Sequence, residues 1–415
     1  MNDFTHVFQS EIECTDKMVF RKGTYVCSPL FFHSDMDVFF EDGVRIYLTD
    51  EESSFQKIRT RIAGIEMDGY PALLNFVHCK NVHIHGKAIL YGNGERWYEK
   101  YWGFDTKGGM RKTYDEKGLR WACDYDCFRP KMILIQNSSD IHLSDLELHD
   151  SPFWNVHVLY SRNVFLDHLK IFSENPNSPS TDGIDIDSSE DVSISSCYIS
   201  TNDDGVSIKS GRDGDGIRVN RPTRNVVIQD CEFHHGYGLS VGSELSGGVE
   251  NICGKNLHFI SSDCGFRIKS SSTRKGYVRN ICLDGLIMDG VKYPIYCYLD
   301  WNRSYNLNKL PEGYDGKIPD YWYTLLNLPS DAIKNTYVDG ISIKNMKLSC
   351  KGHDSCLFTI CGFADSPIGN LCFSDFTGDV DEYGSFENCE CPAFRNVNVE
   401  VSGNIHTIPG SFDNR

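Results

Sequence analysis

The chain has 415 residues, a formal net charge of −17 and 12% aromatic side chains. An acidic balance of this size argues against a nucleic-acid partner and against an anionic membrane surface, and an acidic ligand would have to be met by local cations. Its 17 cysteines form no C-x-x-C pair and no Cys/His metal spacing, so they read as reduced thiols used as core filler rather than as a disulfide framework.

Residues 1–20 contain no charged start followed by an apolar run, so a cytoplasmic protein is expected, with a secreted form whose leader has been removed as the alternative. Beyond them one pattern recurs: Asn or Asp, then Val or Ile, a polar residue, a second apolar residue and soon a small residue or Cys. Copies open at Asn81, Asp140, Asn163, Asp191, Asn225, Asn251, Asn280, Gly340, Asn370 and Asn396, at intervals by subtraction of 59, 23, 28, 34, 26, 29, 60, 30 and 26. The two long intervals each hold a degenerate copy or a large insertion. Within a copy the apolar residues alternate with polar ones, the period of a half-buried strand, and Gly, Asn, Asp and Ser mark turns between runs.

Short strands at this spacing, without long amphipathic helices between them, predict an all-β parallel β-helix of about 10 coils in a single domain spanning 1–415. N-terminal coils and a cap fall in 1–80, main coils in 81–400 and a C-terminal tail in 401–415. A β-propeller is the runner-up, without a Trp-Asp signature to support it. Cys197 and Cys231 hold equivalent places in neighbouring copies and are expected to stack inside the coil. The stretches 92–131 and 291–335 are rich in aromatic residues, among them Trp97, Trp121, Tyr293, Tyr296, Trp301 and Trp322. They read as outer loops that either wall a cleft or only cover the coil.

Four short runs in consecutive copies carry the chemistry. They are Ser180-Thr181-Asp182-Gly183, Asn202-Asp203-Asp204-Gly205, Gly236-Tyr237-Gly238 and Arg267-Ile268-Lys269. Asp203 and Tyr237 each lie 12 residues after the start of their copy, Arg267 lies 16 after and Asp182 lies 19 after, which puts them on one side of the solenoid. Asp182 and Asp203 are 21 residues apart, close to one coil, so about one strand spacing of 4.8 Å should separate them. Three crowded carboxylates cannot all ionise freely, so one is pushed up while others stay charged, the acid and base that glycoside hydrolysis needs. Singly, each run is an ordinary turn; in consecutive copies beside two cations they make a site. Trp154 and His157, with His149 nearby, are candidates for sugar contact one copy earlier. His234 and His235 are weighed as imidazoles near Tyr237, Glu244 as a ligand for hydroxyls, and Arg212 as a residue closing one end of the cleft.

These runs resemble glycoside hydrolase family 28, the polygalacturonases of the pectin-lyase-like right-handed β-helix fold, whose motifs read Asn-Thr-Asp, Gly-Asp-Asp, Gly-His-Gly and Arg-Ile-Lys in this order. The resemblance runs from about Arg129 to Asn280, and more faintly to Gly23-Thr24-Tyr25 and Tyr91-Gly92-Asn93-Gly94. Ser151-Pro152-Phe153-Trp154, Lys209-Ser210-Gly211-Arg212-Asp213 and Gly242-Ser243-Glu244 look like the bacterial exo-acting branch. It implies a hydrolase with Asp203 as general acid, Asp182 and Asp204 holding the water as base, and Arg267 and Lys269 gripping a galacturonate carboxylate. It also implies inversion, no metal and no cofactor. The expected partner is an acidic oligosaccharide containing galacturonate, acted on by a monomer from the chain end. Ser180 and Asn202 depart from the family motifs, and Tyr237 stands where the family has His. A calcium-dependent β-helical lyase and a non-catalytic glycan-binding β-helix are the alternatives.

Overall fold

The computed structural model describes residues 3–401 apart from 174 and 307, together with the backbone of 404–408. Each copy of the repeat is a strand hydrogen-bonded in parallel to the copies before and after it. The first apolar residues register as Val82, Ile141, Val164, Val192, Val226, Ile252, Ile281, Ile341 and Leu371, and all of them are buried. The coils stack into a right-handed parallel β-helix with one sheet of 17 strands and one of 11.

The residue that opens each copy is set by backbone geometry. All ten have φ between +50° and +73°, the left-handed region that Asn, Asp and Gly occupy with least strain. The side chains then form a ladder along the helix. Asn81 donates to Asp35 at 2.8 Å, Asn163 to Asp140 at 3.0 Å, Asn225 to Asp191 at 2.9 Å, Asn251 to Asn225 at 3.1 Å and Asn280 to Asn251 at 3.1 Å. Asp35, at φ +63°, extends the column one coil upstream of the first copy visible as a repeat.

Both long intervals are insertions. Strand Lys80–Tyr91 pairs directly with Ser139–Ser144, and Tyr277–Asp289 with Tyr337–Ser349, so no coil is lost between them. The second insertion starts later than expected. Tyr293–Tyr298 is a strand in register with Cys264–Lys269, so Tyr293 and Tyr296 belong to the coil and not to an outer loop.

The inserted segments gather over the 11-stranded sheet. They hold the helices Glu95–Trp102, Gly109–Glu116, Arg303–Asn306 and Asp320–Leu326. With the hairpin Ile58–Ile62/Ile65–Gly69 they bury a second core of Ile62, Met67, Trp121, Tyr125, Trp322 and Leu325. At the N-terminal end, helix Thr5–Ile12 lays Phe8 and Ile12 on the open coil, Phe8 against Phe20 at 4.7 Å. At the other end the backbone of Asn404–Ile408 pairs antiparallel with Ala393–Val401; residues 402–403 and 409–415 of the expected tail lie outside the described residues. Cys197 and Cys231 are both buried in adjacent coils, as their equivalent places predicted.

Candidate active site

Four consecutive strands of the 11-stranded sheet carry the site: Ile184–Asp187, Val206–Lys209, Leu239–Val241 and Cys264–Lys269. Ile184, Val206, Leu239 and Phe266 are in register and buried in the core. Alternation therefore turns Asp185, Ser207, Ser240 and Arg267 outward beneath the inserted wall, with Asp187 and Lys209 in the next outward row. Asp182 and Asp204 stand two residues before their strands, one coil apart, tied by the Gly183 amide donating to the Asp204 carbonyl at 2.9 Å. The turn carrying Asp203 is held by the next coil, whose Tyr237 amide donates to the Asp203 carbonyl at 3.1 Å. Gly236 makes that approach possible: at φ +51°, a Cβ there would lie 2.2 Å from the same oxygen.

One oxygen from each of Asp182, Asp203 and Asp204 lies within 4.8 Å of the others. Asp204 is saturated. It accepts from Lys269 Nζ at 2.8 Å, Ser207 Oγ at 3.1 Å, Ser240 Oγ at 2.6 Å and the Arg267 guanidinium. Burial alone would raise its pKa, but Arg267 and Lys269 outweigh burial and hold it well below the usual carboxylate range. Asp182 accepts from Lys209 Nζ at 3.0 Å, and that ammonium also reaches Asp185 at 2.9 Å and Glu244 at 3.8 Å. Burial nevertheless raises Asp182. Asp203 keeps part of its surface open to solvent and accepts from the Asp204 amide at 3.0 Å. Burial of its carboxyl, then the charges of Asp182 and Asp204, push it up to about 7. Near neutral pH Asp203 is thus partly protonated beside an ionised Asp204.

The three carboxylates face three cations, Lys209, Arg267 and Lys269. A divalent ion at this cluster would have to displace those cations, so the donor set does not suit a calcium-dependent reaction. Two cavities meet at Asp203, sharing Arg120 and Trp301. A narrow one of about 100 Å³ is lined by Trp154, Asp182, Lys209, Glu244, Lys269 and Tyr305. A broader one of about 560 Å³ is lined by Tyr237, Arg267, Tyr293 and Tyr296.

The sequence-predicted residues separate accordingly. Asp182, Asp203, Asp204, Arg267, Lys269 and Glu244 converge. Tyr237 joins them through its ring, which lies 3.9 Å from the Arg267 guanidinium carbon. Its phenol is pushed up to about 12 by burial and by Asp203, so it stays neutral. Trp154 lines the narrow cavity, with the Lys209 ammonium 4.1 Å from its ring. His157 is not a substrate contact: it is fully buried, with Nδ1 2.8 Å from Lys131 Nζ and Nε2 3.4 Å from Asp187, and burial pushes it down to about 3. Arg212 does not line the cleft either. It is fully buried and donates to the Tyr125 hydroxyl at 2.8 Å, the Tyr305 carbonyl at 2.7 Å and Asn308 at 2.8 Å, fastening the wall from behind. His149 and His234 belong to an aromatic ladder on the other sheet, with His149 against Phe172 at 4.8 Å and His234 against Tyr198 at 4.4 Å. His235 is an exposed residue in a turn.

Lys209 is the functional residue that the sequence reading left out of the site. A shorter second repeat signals it: GIDIDS from 183, GVSIKS from 205, GLSVGS from 238 and GFRIKS from 265 place Lys209 level with Lys269. Arg120 and Trp301 carry no such signal, because both reach the site from insertions.

Comparison with known proteins agrees with this arrangement. The family model "Glycosyl hydrolases family 28" matches residues 50–313. A probable polygalacturonase of Vitis vinifera is 34% identical over 230 residues, 55% of this chain and 43% of that protein. An endo-polygalacturonase of Pectobacterium carotovorum subsp. carotovorum is 27% identical over 281 residues, 65% of this chain and 64% of that protein. The chain spans about half the length of the curated relatives it matches. In fold it is similar to the crystal structure of an exopolygalacturonase from Thermotoga maritima, with a TM-score of 0.75 at 22% identity, covering 98% of this chain and 89% of that one. Since the family model extends over more than half of the residues and contains every strand of the carboxylate patch, the chain belongs to glycosyl hydrolase family 28.

Proposed function

We propose that this chain hydrolyses α-glycosidic bonds next to galacturonate in pectic oligosaccharides, acting from the chain end with inversion. The observation that carries the reading is the split between Asp203, raised to about 7, and Asp204, held ionised, within one 4.8 Å cluster. Asp203, at the junction of the two cavities, donates its proton to the leaving oxygen. Asp182 is the stronger candidate to take the proton of the attacking water, because four side chains already occupy Asp204. Asp204 keeps Arg267 and Lys269 in place. Arg267 engages Ser240 through Nε and Asp204 through Nη2, which leaves Nη1 to meet a sugar carboxylate as a charge-assisted donor.

Exo action is the mode this reading expects: Ala63, Arg120, Phe153 and Tyr305 help to line the narrow cavity of about 100 Å³, which would take a terminal residue. Inverting carboxyl pairs usually stand about 6.5–9.5 Å apart to admit water between them. Here the water would sit beside the acid, against Asp182, and product stereochemistry is the direct test. Incubation with oligogalacturonides and rhamnogalacturonan oligomers, with products followed by mass and by anomeric NMR, should give single sugars of inverted configuration. Asp203→Asn is the control, and retained configuration or internal cleavage would sink the respective part of the reading.

A further inference from the structure

The first repeat copy, Asn81-Val82-His83-Ile84-His85-Gly86, places two imidazoles on one outward side of strand Lys80–Tyr91. This strand belongs to the 17-stranded sheet, not the sheet that carries the acid patch, and the proposed hydrolysis uses neither histidine. Their rings stack at 4.5 Å with an interplanar angle of 11°, so one ring must turn about its Cβ–Cγ bond for both nitrogens to point at a single ion. Asp37, on the neighbouring strand, is the register partner of His83. Its Oδ1 lies 2.9 Å from His85 Nε2 and 3.9 Å from His83 Nδ1, and one donor atom from each residue lies within 4.8 Å of the other two. Donors on a tetrahedral ion with bonds of about 2.0–2.1 Å stand about 3.3 Å apart, between those two separations. On the following coil His142 is level with His83, its ring edge-on at 5.9 Å. The side chains of Asp37 and His83 are 52% and 54% exposed, so water can complete a coordination shell.

We propose that Asp37, His83 and His85 bind a first-row divalent ion of the Zn²⁺, Co²⁺ or Ni²⁺ class through two imidazole nitrogens and one carboxylate oxygen. Imidazole donors select these ions over Mg²⁺ and Ca²⁺, which prefer all-oxygen shells. The bound ion clips the strand Asp37–Leu48 to Lys80–Tyr91 and stays outside the hydrolytic chemistry. Lys17 is level with Asp37 on the preceding strand.

The test titrates Co²⁺ alone into the full chain in a non-chelating buffer near neutral pH, followed by absorption, with Zn²⁺ calorimetry in parallel. One equivalent should bind with visible d–d bands and without near-ultraviolet thiolate charge transfer. His83→Ala and His85→Ala should each weaken binding about tenfold or more, while both variants keep the wild-type hydrolytic rate and the wild-type melting temperature in chelator. Thiolate bands would place the metal on exposed cysteines such as Cys253 and Cys282 and overturn the site. So would histidine variants that bind as tightly as wild type, or a wild type that takes up no metal below about 1 mM. Should an imidazole variant fail to fold, Asp37→Asn decides: weakened binding supports the site and unchanged affinity removes it.

Discussion

Asp203 and Asp204 are adjacent in sequence and shifted in opposite directions, because their side chains enter different surroundings: two cations and two hydroxyls bind Asp204, whereas Asp203 faces carboxylates. The pH dependence of stability follows from linkage. Asp203 rises from 3.8 unfolded to about 7 folded, so across that window the folded chain holds a proton that the unfolded chain has released. Stability therefore falls as pH rises from 4 toward 7 and its loss is complete above the folded value. Asp203→Asn removes this cost. It should raise the melting temperature at about pH 8, by roughly 2 °C, leave it near wild type at about pH 4, and lower kcat about 10²–10⁴-fold; calorimetry and pH–rate profiles check both. For wild type, kcat should decline as pH rises through about 7, where the acid is lost. Tyr237 acts through its ring on Arg267, so Tyr237→Phe should keep KM near wild type and Tyr237→Ala raise it about threefold to thirtyfold. Tyr237→His introduces a group that titrates near neutrality and should add a second inflection to the pH profile.

At the scale of the element, the left-handed residue opening each coil explains why the fold shows in the sequence at all. Asn251 at φ +58° accepts from Asn280 and donates to Asn225. Asn251→Ala should cost about 1–2 kcal/mol and Asn251→Gly clearly less, read from urea melts; equal losses would mean that the ladder bonds and not the backbone set the preference. The Asn/Asp/Gly rule made ten copies legible, and the twelve-residue offsets of Asp203 and Tyr237 put the right side chains on one side of the coil. The same alternation that exposed the acids also turned His157 outward from its coil, and there the sequence reading misled. An outward position is solvent-facing only where nothing covers it, and His157 lies under Lys131 and Asp187 beneath the wall.

At the scale of the whole molecule, the wall is one assembly clamped by buried arginines. Arg274 donates to the Ser243 carbonyl at 2.8 Å and to Asp213 and Asn306, joining three loops that meet over the sheet. Arg274→Met leaves Asp213 with Arg212 as its remaining guanidinium partner, at 3.2 Å. It should destabilise the chain by about 3 kcal/mol and loosen the wall over the narrow cavity, so under the proposed exo mode products longer than one sugar should appear. Thermal melts and product-length analysis read the two effects separately, and loss of stability without any change in products would uncouple the wall from the proposed exo action.

Local rules determined the coil. The left-handed residue, the two-residue alternation and the spacing of the copies each act within a few positions of the chain, so they specified a parallel β-helix, the order of its strands and the acidic motifs on one side of it. The walls of the cavities and the burial of His157 and Arg212 were decided only when the insertions folded back over the sheet. Those properties depend on contacts between residues as distant as Arg61 and Asp187 or Arg212 and Asn308, and burial by a remote segment leaves no periodic trace in the residues that it covers.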